Sequence, residues 1–585
     1  MWPFSSGYQV LAEAKQKERD SFVSAAPNFS HNEHGGFLKA TASEIVYNIE
    51  RGEWTASQVV SAYIAQAALA QKTTNCITEG KPFTRISACE EFNFLRVGND
   101  VVMFSKALEQ AQDLDAEFAS TKKLRGPLHG VPLSVKDQFN VEGFDTSIGY
   151  SERVGKPANS DADVVALLKA AGAIPIAKTN VPQTMFAFEC CNPIFGRSVN
   201  PHNGGFTCGG SSGGEGALLA MDGSALGIGS DVGGSLRIPA AFCGVYSLKP
   251  SPLRVSYAGS GVTVPGFEGI ISVAGPMGRS VKDLEMFSRV VFGVQNRSNV
   301  IAPILYQEPK LPEKLRFGYY TDNYIKGSPA NKRAISETVT ALQKQGHECI
   351  EIVVPDQIDA FNIFIGLTSA DGYKTLLSGI GSDPLDSSLL VVARGSALPR
   401  FLRSFASWVV SFFLKDEKFA GAIASTGAKS MQEYLRWVAR RDRYNAKFYE
   451  EVWNKHQLDG IIAPVLPVPQ VQTGAFTTLF ALASGTTLYN LINCPSGSMP
   501  VTKVNPAKDK ITEEWTKAPL PSLVERALYQ GKNPIYDPVA MQGMPVGIQV
   551  VGRKWEDEKV LAMMQVVDAA LGKDRGFGPG SFSKA

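Results

Sequence analysis

Two periods of apolar and polar residues run along this chain. A 3.6-residue period begins at Thr41, an N-cap candidate ahead of Ala42, Ile45 and Val46. The same period predicts helices over Glu53 to Gln71, 104–120, Asp161 to Ala171, Ser280 to Val294 and Ala330 to Gln345. Gly172 and Gly346 stand where C-terminal glycines end such helices. A two-residue period puts Val131, Leu133 and Val135 on one parity of a strand, with Ser134 and Lys136 on the other. Further strands are read over Ala173 to Ala177, Leu315 to Tyr320, 348–354 and Asp459 to Pro464. Residues 8–20 read as a charged helix, 21–40 as loop, and the polar, Pro-rich stretch 505–535 as loop. The βα alternation predicts an α/β fold, a mixed sheet with helices on both faces.

The stretch 360–450 is the most helical and the least patterned. Within it, Phe401, Phe405, Trp408 and Phe412 share one face of a helix between Arg400 and Lys415. Fourteen residues between basic ends are too few to span a bilayer. The expectation for such a face is a buried helix or the wall of a substrate channel. The alternative is an interfacial helix lying on a membrane surface.

Composition narrows the class. Of 585 residues, 44% are apolar and 19% charged, which suits an enzyme with a large core. A net charge of +2 leaves no nucleic-acid footprint. Cys76, Cys89, Cys190, Cys191, Cys208, Cys243, Cys349 and Cys494 show neither zinc-ligand nor disulfide-framework spacing, so a reducing compartment is expected and no metal is. Met1 to Gly7 lacks a basic region followed by an apolar core, so it is not read as a signal peptide, and the expected location is the cytoplasm. No internal repeat is found. Residues 79–100 follow no period; they read as a surface loop insertion, or as a gene-model error such as a retained intron.

The chemistry concentrates in Gly209–Gly216 and Gly229–Arg237, seventeen residues that hold eight glycines and four serines. Composition alone reads as a linker. The apolar segments Ala217–Met221 and Ala225–Ile228 embed the run instead, as loop, short helix, strand and loop. A Walker loop needs a Gly-Lys-Ser/Thr ending, which is missing. Gly209 to Gly213 matches a G-x-S-x-G elbow, but its required histidine would be His347 or His456, neither in a recognisable context. Hydroxyls with several backbone N–H donors suit acyl transfer. Upstream, Lys136 ends an apolar strand. As a surface residue it would snorkel; buried, it would lose its charge and become a base. One lysine and two serines form a nucleophilic set that needs no histidine.

Lys136 in Val-Pro-Leu-Ser-Val-Lys-Asp, Ser211 in Gly-Gly-Ser-Ser-Gly-Gly-Glu-Gly and Ser235 in Asp-Val-Gly-Gly-Ser-Leu-Arg-Ile-Pro fall 75 and then 24 residues apart. This pattern resembles the amidase signature family. Further matches are Ala177–Gln183, Ala241–Pro250, Tyr489–Gly497 and Gly543–Gly552, and the likeness runs from about residue 40 to 570. The opening residues resemble the fungal general amidases and acetamidases, relatives of fatty acid amide hydrolase.

The resemblance implies the amidase signature fold, a large mixed twisted β-sheet covered by helices around a Gly/Ser-rich catalytic core. It implies an N-terminal helical extension over 1–40 and one domain over 41–585, with the catalytic core at about 120–290 and a variable helical region at about 360–450. Ser235 is implied as nucleophile, Ser211 as proton shuttle behind a cis peptide at Gly210–Ser211, and Lys136 as base. The N–H groups of Val232, Gly233, Gly234 and Ser235 are implied as the oxyanion hole. Ser212, Asp231 and Arg237 are implied supports, and Met185 and Phe186, which read by themselves as core, are implied substrate contacts. The expected partner is a small-molecule amide, with no cofactor; a homodimer is left open. The alternatives are a glutamyl-tRNA amidotransferase A-type subunit, an ester-selective hydrolase, and a non-hydrolytic or damaged relative.

Overall fold

The strands of the computed structural model, which describes residues 7–79, 103–513, 515, 520 and 522–582, are β1 (Ile77–Glu79), β2 (Pro132–Lys136), β3 (Ile174–Thr179), β4 (Cys191–Asn192), β5 (Gly196–Arg197), β6 (Leu226–Asp231), β7 (Tyr246–Lys249), β8 (Val273–Gly278), β9 (Arg316–Tyr319), β10 (Glu348–Glu351), β11 (Gly460–Pro464), β12 (Ser496–Lys503) and β13 (Pro545–Val551). Strands β4 and β5 form a separate ribbon. The other eleven make one mixed sheet in the order β1-β3-β2-β6-β8-β7-β12-β13-β11-β9-β10. Every residue of β2, β3, β6, β7, β8, β11 and β13 is buried. Successive strand side chains face opposite ways, so both faces of the sheet are covered. The polar parity of β2 is therefore not a wet face: Ser134 and Lys136 are as buried as Leu133 and Val135.

Register places the chemistry. Strand β2 runs parallel to β3 on one side and to β6 on the other, through Leu133↔Leu226, Ser134↔Gly227 and Val135↔Ile228. This brings the carboxyl end of β2, at Lys136, beside that of β6, at Ser230 and Asp231. The carboxyl ends of parallel strands are where open α/β sheets place their sites. The buried helix Gly213–Ala220 leads from the first Gly/Ser run to β6, and helix Arg237–Cys243 leaves the second.

Several expectations shift. Helices fall at Ala42–Glu50, Ala56–Thr74, Met103–Thr121, Asp163–Ala170, Val281–Val291 and Pro329–Lys344, close to those read from the pattern. Thr41 caps the first with Glu44 in a reciprocal capping box. The stretch 21–40 is not loop. Helix Gly7–Ala25 runs through its first residues and helix His31–Leu38 follows. Phe22, Val23 and Leu38 are buried in the main core, and such packing sustains a short, Gly-containing helix that propensity disfavours. Residues 505–535 include helix Leu523–Tyr529, which buries Leu528 and Tyr529 and is capped by Ser522. The irregular stretch 80–100 lies outside the described residues.

The aromatic helix is the largest correction. It spans Arg400–Leu414, and only Arg403 and Val410 on it are buried. Phe401 is 70% exposed, Phe405 62%, Trp408 53% and Phe412 54%. The face read as a buried helix or a channel wall points outward, its rings stacked on one another at 5.9 Å (Phe405–Trp408) and 5.5 Å (Trp408–Phe412). Helical period locates an apolar stripe but not what covers it.

Helix Gly7–Ala25 is tied to the body by Lys15, whose Nζ lies 3.0 Å from Asp145 Oδ2 with both side chains buried. Removing one partner strands a buried charge. Lys15→Met is expected to cost about 3–5 kcal/mol, read as a lower urea midpoint at unchanged slope.

Candidate active site

Lys136 is fully buried at the end of β2, and its Nζ is hydrogen bonded to both Ser211 Oγ and Ser230 Oγ at 2.7 Å. Burial lowers its pKa to about 7, against the opposing pull of Asp231, Cys190 and Glu215. Gln138 sets the direction of these hydrogen bonds. Its Nε2 donates to Gly261 O at 3.0 Å and to Tyr257 Oη at 2.5 Å; a backbone carbonyl can only accept, so Oε1 faces the other way. There it accepts from Ser230 Oγ at 2.6 Å. Ser230 has a single proton, so it accepts from Lys136. A neutral Lys136 then has its lone pair left for the hydroxyl of Ser211.

Ser211 follows a cis Gly210–Ser211 peptide, as the resemblance implies. The Gly/Ser run packs as core: residues 206–221 are all buried. A Cβ on Gly214 would lie 2.4 Å from Asn180 N, so only glycine lets helix Gly213–Ala220 come this close to the end of β3. Glu215, one residue on, accepts from Ser134 Oγ on β2 at 2.6 Å and from Thr179 Oγ1 on β3 at 2.7 Å. Burial pushes its carboxyl up to about 8.

The second run is organised by Asp231. Its Oδ1 accepts from Gly234 N at 2.8 Å, and its Oδ2 from Leu236 N at 3.1 Å. Arg237 donates to both oxygens at 3.1 Å and is held in turn by Gln549 at 2.9 Å and Asn490 at 2.6 Å. Burial disfavours the Asp231 charge, but Arg237, Lys249 and Asn490 together outweigh it and leave the carboxyl below its ordinary pKa. Gly234 sits at φ +128°, and a Cβ there would lie 2.4 Å from Thr486 Oγ1. The N–H of Gly234 belongs to Asp231, which takes it out of the expected oxyanion set. The N–H groups of Val232, Gly233 and Ser235 have no acceptor among the described residues. Ser212 Oγ lies 3.4 Å from Ser230 N and O, and Ser212 N donates to Ser235 O at 3.2 Å, which joins the two runs.

Ser211, Ser230 and Ser235 line one chamber of about 60 Å³ with Gln138, Met185, Phe186, Val232 and Tyr257. Met185 and Phe186, the two residues that read as core by themselves, thus face the serines. No histidine lines it; His347 Nδ1 instead accepts from Leu315 N beside β9. Ser230, Gln138, Tyr257 and Glu215 were not singled out in the sequence. Ser230 lies inside the second run and Gln138 two residues past Lys136, so position was their only signal.

The family model described as Amidase matches residues 86–561. The chain belongs to the amidase family. It is a hydrolase acting on amide C–N bonds. An acetamidase of Emericella nidulans is 31% identical over 91% of this chain and 89% of its own length. Fatty-acid amide hydrolase 1 of Sus scrofa is 31% identical over 91% and 86%. A solved structure of fatty acid amide hydrolase superposes with a TM-score of 0.78 at 27% identity, covering 98% of this chain and 92% of that one.

In this amidase the Asp231–Arg237 pair shapes the loop that carries Ser235. Asp231→Ala is expected to cost about 3–5 kcal/mol of stability and to lower amide hydrolysis even at temperatures where circular dichroism reports a folded chain. Retained activity in the folded variant would remove Asp231 from the support of that loop.

Proposed function

We propose that the protein hydrolyses a carboxylic acid amide to the acid and ammonia or an amine, through an acyl-enzyme on Ser235. The observation that carries this reading is the hydrogen bond from buried Lys136 to Ser211, which lines one chamber with Ser235 and Val232. Ser235 Oγ attacks the amide carbon as its proton passes to Ser211 Oγ and the Ser211 proton passes to neutral Lys136. The oxyanion forms against the N–H groups of Val232, Gly233 and Ser235, each worth roughly 3–4 kcal/mol. The amine leaves with a proton from Ser211, which Lys136 replaces. Water then hydrolyses the ester by the same relay in reverse. Gln138, by holding Ser230 as an acceptor, keeps the Lys136 lone pair on Ser211.

Ser212, Asp231 and Arg237 act as supports, and Met185 and Phe186 as substrate contacts. The same groups would cleave esters; the proton that Ser211 supplies to a poor leaving amine favours amides. The complete set of groups favours a hydrolase over a binding protein on this fold. We read 41–585 as one domain with its catalytic core at about 120–290. Cys76, Cys190, Cys191, Cys208, Cys243, Cys349 and Cys494 are free thiols, which supports a reducing compartment such as the cytoplasm.

Ser235→Ala is expected to lower product release from a cleaved amide about 10⁴-fold or more; wild-type rates in the folded variant would sink the reading. Lys136 works as a neutral amine, so kcat should fall as pH drops below about 7. Gln138→Glu keeps the acceptor for Ser230 but adds an anion that favours protonated Lys136, so this acid limb should move to higher pH. A limb that stays put would detach Lys136 from the reaction.

A second observation concerns where the enzyme works. Among the described residues no helix is long and apolar enough to cross a membrane. The outward aromatic row on helix Arg400–Leu414, with Phe413 beside it and basic residues at both ends, supports contact with a lipid surface. Sedimentation with anionic vesicles should carry the wild type down and leave the quadruple variant F401S/F405S/W408S/F412S in solution; equal partition of the two would refute the contact.

A further inference from the structure

Two spaces of unequal size flank Ser235. One, about 10 Å³, is bounded by Met185, Phe186, Phe188, Gly233, Phe364 and Phe480. That is room for about one water-sized group. Aromatic rings close it: Phe480 stacks on Phe186 at 5.8 Å and packs on Phe188 at 5.1 Å and on Phe361 at 6.4 Å. The chamber of the serines, which also borders Ser235, shares Phe186, Val232, Tyr257, Val262, Thr263 and Ser272 with a cavity of about 400 Å³. The far walls of that cavity are apolar, including Val255, Val264, Phe267, Ile271, Ile301 and Leu376. Glu268 is the one charged residue among its described lining, and it is exposed.

Ser211 decides which half of an amide each space takes. The leaving amine needs its proton from Ser211 Oγ, so it departs on the side that Ser211 lines. Ser211 lines the chamber that opens into the large cavity and does not line the small space. We propose that the large cavity receives the amine and the ring-closed space receives the acyl chain. The substrate class is then a short-chain acyl amide of an apolar amine, neutral or cationic at its far end. Phe480 sets the acyl length, and Glu268 rejects amines that carry a carboxylate. This assignment rests on the roles of Ser235 and Ser211 proposed above.

The test uses three amides of known structure: N-acetylphenethylamine, 4-(2-acetamidoethyl)benzoate (the same amine bearing a carboxylate at its far end) and hexanamide. The full-length enzyme should cleave the first with a kcat/KM at least about tenfold above each of the others. Phe480→Ala, at a half-buried ring, should raise kcat/KM for hexanamide relative to N-acetylphenethylamine by about tenfold. Glu268→Gln, at an exposed side chain, should raise kcat/KM for 4-(2-acetamidoethyl)benzoate selectively. Ser235→Ala separates the two levels of the argument. If it cleaves amides as the wild type does, the catalytic reading fails. If it is inactive while the wild type prefers hexanamide, or spares N-acetylphenethylamine altogether, the substrate assignment alone is overturned. An unchanged acyl preference in Phe480→Ala overturns the role of that ring.

Discussion

Keeping the Lys136 amine out of water is the constraint around which the rest of this protein is arranged. An ammonium loses most of its solvation in such a place, so burial favours the neutral base. Excluding water there takes a strand paired on both edges and a sheet covered on both faces, and β2 has both. A buried amine must also find hydrogen-bond partners, and it finds them in Ser211 of the first Gly/Ser run and Ser230 at the end of β6. Each of those segments needs its own scaffold. Glu215 holds the first against β2 and β3; Asp231 and Arg237 hold the second.

Glycine serves this arrangement by what it leaves out. The run around Ser211 has the composition of a flexible linker and the burial of a core. With a side chain at Gly214, the helix would stand off from the strand that it must touch. Standing off would pull Ser211 away from Lys136. The same economy appears at Gly234, whose conformation turns its N–H to Asp231 while its neighbours keep theirs for other use.

The space around the serines is asymmetric because its two sides are built from different material. One side is closed by phenylalanines brought together from helix Gln357–Thr368 and from short turns at 183–188 and 475–483. The other is walled by the loop between β7 and β8, whose small branched residues leave a cavity. Outside, the aromatic row of helix Arg400–Leu414 adds apolar area that the core does not use. Patches of this kind are rare on proteins that meet only water.

Local chemistry was legible in the chain because it is written in short motifs. The glycine positions, the lysine ending an apolar strand and the helix cap at Thr41 each depend on a few neighbouring residues, so reading them needed no fold. The sequence by itself therefore determined the α/β class, the family, the two serines that line the chamber and the lysine hydrogen bonded to one of them. Only the tertiary structure decided what depends on distant segments. Whether β2 had a wet face, whether 31–38 would be helical, and whether the row from Phe401 to Phe412 would point inward were all set by what packs against them. Gln138 and Glu215 show why: a glutamine and a glutamate carry no sign of burial until segments far apart in sequence close over them and turn their acceptors toward buried hydroxyls.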